Sequence, residues 1–112
     1  MTSKEDAVGV AAKLFRGFSD TTRLGILLLL ADHGELRVTD LVNELGGSQA
    51  NISAHVACLK DCGLVADRPE GRQVFYRIAS AQIFEFLAAA DRLLAETGAN
   101  VAICPHYSED DR

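Results

Sequence analysis

Residues 38–63 read Val38-Thr-Asp-Leu-Val-Asn-Glu-Leu-Gly-Gly-Ser-Gln-Ala-Asn-Ile-Ser-Ala-His-Val-Ala-Cys-Leu-Lys-Asp-Cys-Gly63, and the paired glycines in the middle decide the fold. Leu41, Val42 and Leu45 recur at helical spacing before Gly46-Gly47, and Ile52, Val56 and Leu59 recur after it. Ser48 supplies an N-cap for the second run, and Gly63 a stop. Two short helices joined by a tight glycine turn are what a helix-turn-helix requires. The spacing predicts a third helix from Val38 to the glycines and a fourth from about Gln49 to Cys62.

Outward from this pair, Val8, Ala11, Ala12, Phe15 and Phe18 mark an amphipathic first helix over Glu5 to Phe18. Ser19 or Asp20 caps a second helix that runs through Ile26-Leu27-Leu28-Leu29-Leu30 to about His33, where Gly34 stops it. After Gly63 the period becomes strand-like. Leu64-Val65-Ala66, a turn at Pro69-Glu70-Gly71 and Val74-Phe75-Tyr76-Arg77-Ile78 predict a hairpin. A last helix from about Ser80 to Glu96 is apolar over more of its circumference than one small core needs. Gly98 ends it, and Pro105 keeps the tail from re-forming helix. The expected fold is mainly α with a β-hairpin wing, a winged helix-turn-helix over residues 1–97, followed by a tail over 98–112. A small α+β domain with no nucleic-acid role is the plainer alternative.

The 112 residues suit a single domain that a dimer would help to bury surface. The run Ile26 to Ala31 falls far short of the roughly 20 apolar residues that span a bilayer, and residues 1–6 carry no hydrophobic signal core. The expectation is a cytoplasmic protein with no membrane partner. A net charge of −5 looks wrong for a DNA binder until it is located. Residues 1–79 hold nine basic and ten acidic side chains, whereas residues 80–112 hold two and six, with Glu109-Asp110-Asp111 in the tail. A modest basic footprint on the other end is therefore compatible with the total, and a dimer doubles it.

Winding the fourth helix about its axis puts Ile52, Val56 and Leu59 on the core side and Ala50, Ser53, Ala54 and Ala57 outward. Small outward residues let a helix enter the major groove closely. Ser48, Gln49, Asn51 and Ser53, near the helix N-terminus, offer hydroxyl and amide groups for base edges and phosphates, with Asn51 off the centre of that face. Arg68 and Arg72 flank the hairpin turn and have the reach for phosphates or the minor groove. Each of these residues taken alone reads equally well as solvated surface.

The chain has three cysteines. A reducing compartment argues against a structural disulfide. Cys58 and Cys62 stand four residues apart near the end of the fourth helix, so their side-chain bases lie roughly 5–6 Å apart on one face. Two thiolates so placed can hold one soft ion, and Cys104 in the tail can close the site. Single buried cysteines are commonly small core residues, but a pair with a third thiol in a polar tail favours metal. Three thiolates suit Cd(II) or Pb(II), with As(III) or Hg(II) also soft enough. Zn(II) prefers four ligands and needs His106 or a water. A helix C-terminus beside Asp61 disfavours the Cys62 thiolate, and Lys60 compensates only in part. That setting suits a cation better than a reactive thiol. His55, one turn before Cys58, reads as a hydrogen-bonding neighbour of the site, a packing residue or a phosphate contact. His33 reads as a partner for the end of its own helix.

The combination resembles the ArsR/SmtB family of metal-sensing repressors. The matching stretches are Phe18-Ser-Asp-Thr-Thr-Arg-Leu-Gly-Ile-Leu27, Val38-Thr-Asp-Leu41, Gln49 to Leu59, Gly63-Leu-Val65 and Gly71-Arg-Gln-Val-Phe-Tyr-Arg-Ile78. The resemblance implies a homodimer built by the first and last helices, operator binding in the apo state and release when metal binds. Cys58-Leu-Lys-Asp-Cys62-Gly-Leu-Val looks like the metal-binding segment of the family's cadmium- and lead-sensing branch, with Cys104 at its tail-ligand position. Other sites known in the family have no counterpart here. Arg37-Val38-Thr39-Asp40 stands where another branch carries cysteines, and Asp91 has no following histidine within the last helix. A thiol-redox or arsenite-responsive repressor and a protein-interaction module remain as alternatives. No phosphate loop, nucleotide fingerprint or nucleophile-base motif points to an enzyme.

Overall fold

Helical and strand periodicities resolve into five helices and one hairpin in the computed structural model, which describes residues 4–97. The order is α1 (Lys4–Arg16), α2 (Thr21–His33), α3 (Val38–Leu45), α4 (Gln49–Asp61), β1 (Val65–Glu70), β2 (Gln73–Ile78) and α5 (Ala81–Glu96). Caps set the starts of three of these helices. Asp20 accepts from the Arg23 backbone N–H at 3.1 Å, Ser48 from that of Asn51 at 3.0 Å and Ser80 from that of Gln82 at 3.2 Å. At the head of α3, Asp40 reaches back to accept from the backbone N–H of Arg37 at 2.9 Å.

The core is one cluster. Ile26, Leu27 and Leu30 of α2 meet Leu41 of α3 and Ile52, Val56 and Leu59 of α4, and Val65, Ile78, Ile83 and Leu87 close it from the hairpin and α5. The stripe expected on α4 is therefore the buried one. On α3 the buried face is narrower than expected, because Leu45 is 40% exposed.

Two elements differ from their sequence readings. The first helix stops at Arg16 rather than Phe18: the Gly17, Phe18 and Ser19 N–H groups bond three residues back instead of four, and Gly17 packs against Leu64 where a Cβ would come within 2.5 Å of its Cδ1. The hairpin is longer than Leu64-Val65-Ala66 implied. Pro69 and Glu70 are strand residues paired with Val74 and Gln73, and the turn is Gly71-Arg72. A proline is tolerated in a two-stranded ribbon where its nitrogen faces outward. The Leu36 and Tyr76 backbones also exchange hydrogen bonds of 3.1 and 2.9 Å, so the segment between α2 and α3 borders β2.

The turn between α3 and α4 depends on glycine. Gly46 adopts φ 80°, ψ −173°, and Gly47 adopts φ 87°. The Gly46 conformation is one that side chains essentially never take. Gly46→Ala is expected to lower the unfolding free energy by roughly 1–3 kcal/mol, measured by urea denaturation. An unchanged midpoint would mean that the turn relaxes without strain.

Candidate nucleic-acid interface and thiol pair

Once α4 lays Ile52, Val56 and Leu59 into the core, its opposite side is exposed along its length. Ala50, Ser53, Ala54 and Ala57 lie there, and Gln49 and Asn51 of the first turn are exposed beside it. A cleft of about 340 Å³ opens between this helix's first turn, the start of α3 and the hairpin. Three of the sequence candidates line it together: Gln49, Ser53 and Arg72. Asn51 lines a separate concavity with Thr21, Thr22 and the Gly46-Gly47 turn. Ser48 uses its oxygen to cap α4.

The sequence reading did not include Arg37, Thr39, Gln73 and Tyr76, which also line the cleft. The Arg37 side chain is held by Asp40, with Nε–Oδ2 at 3.1 Å and Nη2–Oδ1 at 3.0 Å. That hydrogen-bonded pair pushes the Asp40 carboxyl below the usual carboxylate range, and the Arg37 N–H bond adds to it. An arginine followed three residues later by aspartate at a helix start was the available signal for this arrangement.

Arg68 is placed differently from Arg72. It donates to Glu35 at 2.8 Å and to Glu70 at 2.6 Å, and its guanidinium carbon lies 4.9 Å from the centroid of the Phe75 ring. Hydrogen bonds to these two carboxylates push its ionisation further up, so it is a permanent cation.

Cys58 and Cys62 are both half-buried and free, on the flank of α4 between its core stripe and solvent. The Cys62 thiol donates a weak bond to the Lys13 carbonyl at 3.7 Å, tying the end of α4 to the last turn of α1. Burial pushes this thiol above its ordinary range. The Cys58 sulfur pushes it the same way by charge and hydrogen bond, and so does Asp61, while Lys13 pulls it back. The compensating cation is Lys13, whose ammonium lies 3.1 Å from Asp61. Lys60 instead binds Asp67 of β1 at 2.6 Å.

Two sulfurs in mutual reach fit a soft ion. Among the described residues no group of three His, Cys, Asp or Glu side chains gathers around them. The third expected ligand, Cys104, and the helper His106 lie outside the described residues, as do Pro105 and the acidic tail. His55 meets the α1–α2 junction, with Nδ1 3.4 Å from Arg23 Nη1 and 3.9 Å from Asp20. Arg23 in turn donates to the Arg16 carbonyl at 2.8 Å. His33 Nδ1 sits 3.0 Å from the Leu29 carbonyl in the last turn of its own helix, as its position suggested.

No helix among the described residues is long and apolar enough to cross a membrane. Residues 20–67 match the family described as bacterial regulatory protein, arsR family. The arsenical resistance operon repressor of Escherichia coli K12 is 49% identical over 67 residues, which are 60% of this chain and 57% of that protein. A homodimeric winged helix-turn-helix DNA-binding domain from Mycobacterium bovis superposes with a TM-score of 0.75 at 31% identity, covering 86% of this chain and 90% of that one. The cadmium sensor CmtR of Mycobacterium tuberculosis superposes with a TM-score of 0.59 at 38% identity, covering 70% and 80%. The cap, turn and core stripe that build α3 and α4 fall inside the matched segment, and the family is one of regulators rather than enzymes. On this evidence of sequence and fold together, the chain is a winged helix-turn-helix protein and belongs to the arsR family.

Proposed function

We propose that this protein is a metal-responsive transcriptional repressor that binds operator DNA as an apo homodimer and releases it on binding a soft ion, Cd(II) or Pb(II). One arrangement supports the reading above all. The half-buried thiols of Cys58 and Cys62 lie on the helix whose outer face is small, polar and exposed. Cys58 and Cys62 supply two ligands from α4, and Cys104 joins them from the tail. When bound, the ion displaces the thiol protons and forms strong thiolate bonds. The Cys62 proton now bonded to the Lys13 carbonyl is then lost, so the contact between α4 and α1 changes with the state of the thiols.

Ser48, Gln49, Asn51 and Ser53 approach base edges and phosphates, and Arg72 reaches the backbone from the hairpin turn. Two copies join through α1 and α5. Val10, Phe15 and Leu93 are 70%, 54% and 61% exposed, and such an apolar face favours burial against a second copy. Phe15 also reaches Phe86 of α5, with ring centroids 6.0 Å apart, so the two helices offer one continuous surface. Sedimentation velocity is expected to give a species of twice the chain's mass, and Leu93→Glu a monomer that loses DNA affinity. A wild-type monomer that still binds DNA would contradict the dimer.

A second reading takes arsenite as the effector, which the similarity to the arsenical repressor favours. Three thiolates serve As(III) equally well in kind. A thiol-redox switch is disfavoured because a reactive cysteine needs a lowered pKa, and that of Cys62 is raised.

A further inference from the structure

Arg68 lies in β1 and is engaged on three sides. Its Nε and Nη2 grip Glu35 at 3.2 and 2.8 Å, Nη1 holds Glu70 at 2.6 Å and the Phe75 ring stacks against it. Glu35 belongs to another part of the fold, the segment that joins α2 to α3. Its neighbour Leu36 makes the paired backbone hydrogen bonds to Tyr76 of β2. Two fasteners therefore hold the hairpin to this segment, one on each strand. The backbone fastener lies toward the hairpin's base, and the ion pair lies one residue from Pro69, nearer the turn.

The same hairpin forms one wall of the cleft lined by Gln49 and Ser53 of α4 and by Arg37 and Arg72. The width of that cleft depends on where the hairpin stands. A carboxylate gripping a guanidinium through two nitrogens fixes direction as well as distance. A phosphate approaching Arg68 would meet the negative charge of the two carboxylates already bound to it.

We infer that Arg68 is a positioning residue of the nucleic-acid interface: its ion pair with Glu35 sets the wing against the α2–α3 segment, and phosphate is met by Arg72 at the hairpin turn. The inference rests on the DNA-binding reading above. It differs in sign from direct contact. If Arg68 bound phosphate, Glu35 would be a competitor, and removing its charge would free the arginine and tighten binding. If Arg68 positions the wing, removing Glu35 weakens binding even though a negative charge has been taken away from the interface.

The test uses a labelled duplex recovered from a randomised pool by the full-length wild-type protein, with anisotropy titrations at several salt concentrations. Glu35→Gln and Arg68→Gln are each expected to weaken binding by roughly three- to fivefold, within what exposed ion pairs contribute. The double variant is expected to be no weaker than either single one, because both remove the same pair. Arg68→Lys, which keeps one bond of the pair, is expected to fall between. The slope of log affinity against log salt should stay as in the wild type, since no phosphate contact is lost. Circular dichroism melts keep loss of fold apart from loss of position, and Glu35→Gln, which preserves side-chain shape, carries the test if Arg68→Gln does not fold. Tighter binding by Glu35→Gln with a slope steeper by about 0.9, or unchanged affinity in every variant, overturns the inference alone. A pool from which nothing is recovered overturns the DNA-binding reading and this inference with it.

Discussion

Reduced apoprotein titrated with Cd(II) is expected to develop intense ultraviolet thiolate-to-metal bands saturating at about one ion per subunit, and Cys62→Ser is expected to lose most of them. The two thiols are each other's neighbours on adjacent turns, so replacing either leaves α4 with a single ligand and the site without its paired anchor. Removing one should lower affinity by more than roughly 100-fold, beyond the loss typical of a residue that only supports a ligand. Cys58→Ser should match Cys62→Ser. Cys104→Ser should retain weaker bands, because the α4 pair survives.

The sign of the pH dependence follows from the same geometry. Burial, the Cys58 sulfur and Asp61 keep the Cys62 thiol protonated above its ordinary range, so its proton must be displaced on binding at neutral pH. Apparent affinity should therefore rise with pH, by up to about tenfold per unit for each proton displaced. Bands that are identical in Cys62→Ser, or affinity that does not change with pH, would remove this pair from the metal site.

Ala54→Glu is expected to lower DNA affinity by at least about 100-fold, since it sets a carboxylate and three extra heavy-atom layers against a groove lined by phosphates. Ala54 is exposed and faces away from Ile52, Val56 and Leu59, so the substitution meets no packed side chain. Surface changes of this kind usually leave stability within about 0.5 kcal/mol, and the unfolding midpoint should barely move. Ala57→Glu, one turn on, should behave alike. If both variants bind as tightly as the wild type, α4 does not enter the groove.

What was legible in the sequence was local. The Ser48 cap, the glycine turn and the stripe of Ile52, Val56 and Leu59 depend on residues within a few positions of one another, and each is found where the spacing put it. Side-chain alliances across the chain were not legible. Arg68 read as a phosphate or minor-groove contact beside a turn, yet it is held by Glu35, 33 residues away. Lys60 looked like the cation nearest Cys62, but the fold gives it to Asp67 and brings Lys13 from α1, 49 residues earlier than the thiol that bonds its carbonyl. Pro69 read as a turn residue because propensity cannot reveal which way a strand nitrogen faces. The bridge from Leu36 to Tyr76 had no periodic signal at all.

If metal at the α4 thiols controls DNA binding, a single titration reads it out. The selected duplex, saturated with reduced apoprotein, is followed by anisotropy as Cd(II), Pb(II) or arsenite is added, beside the same experiment with Cys58→Ser. Cd(II) or Pb(II) is expected to free the DNA at about one equivalent per subunit, and the serine variant to hold it. Release by arsenite alone would move the effector to As(III) while keeping the site. DNA retained at saturating metal, or released equally from Cys58→Ser, would contradict the claim.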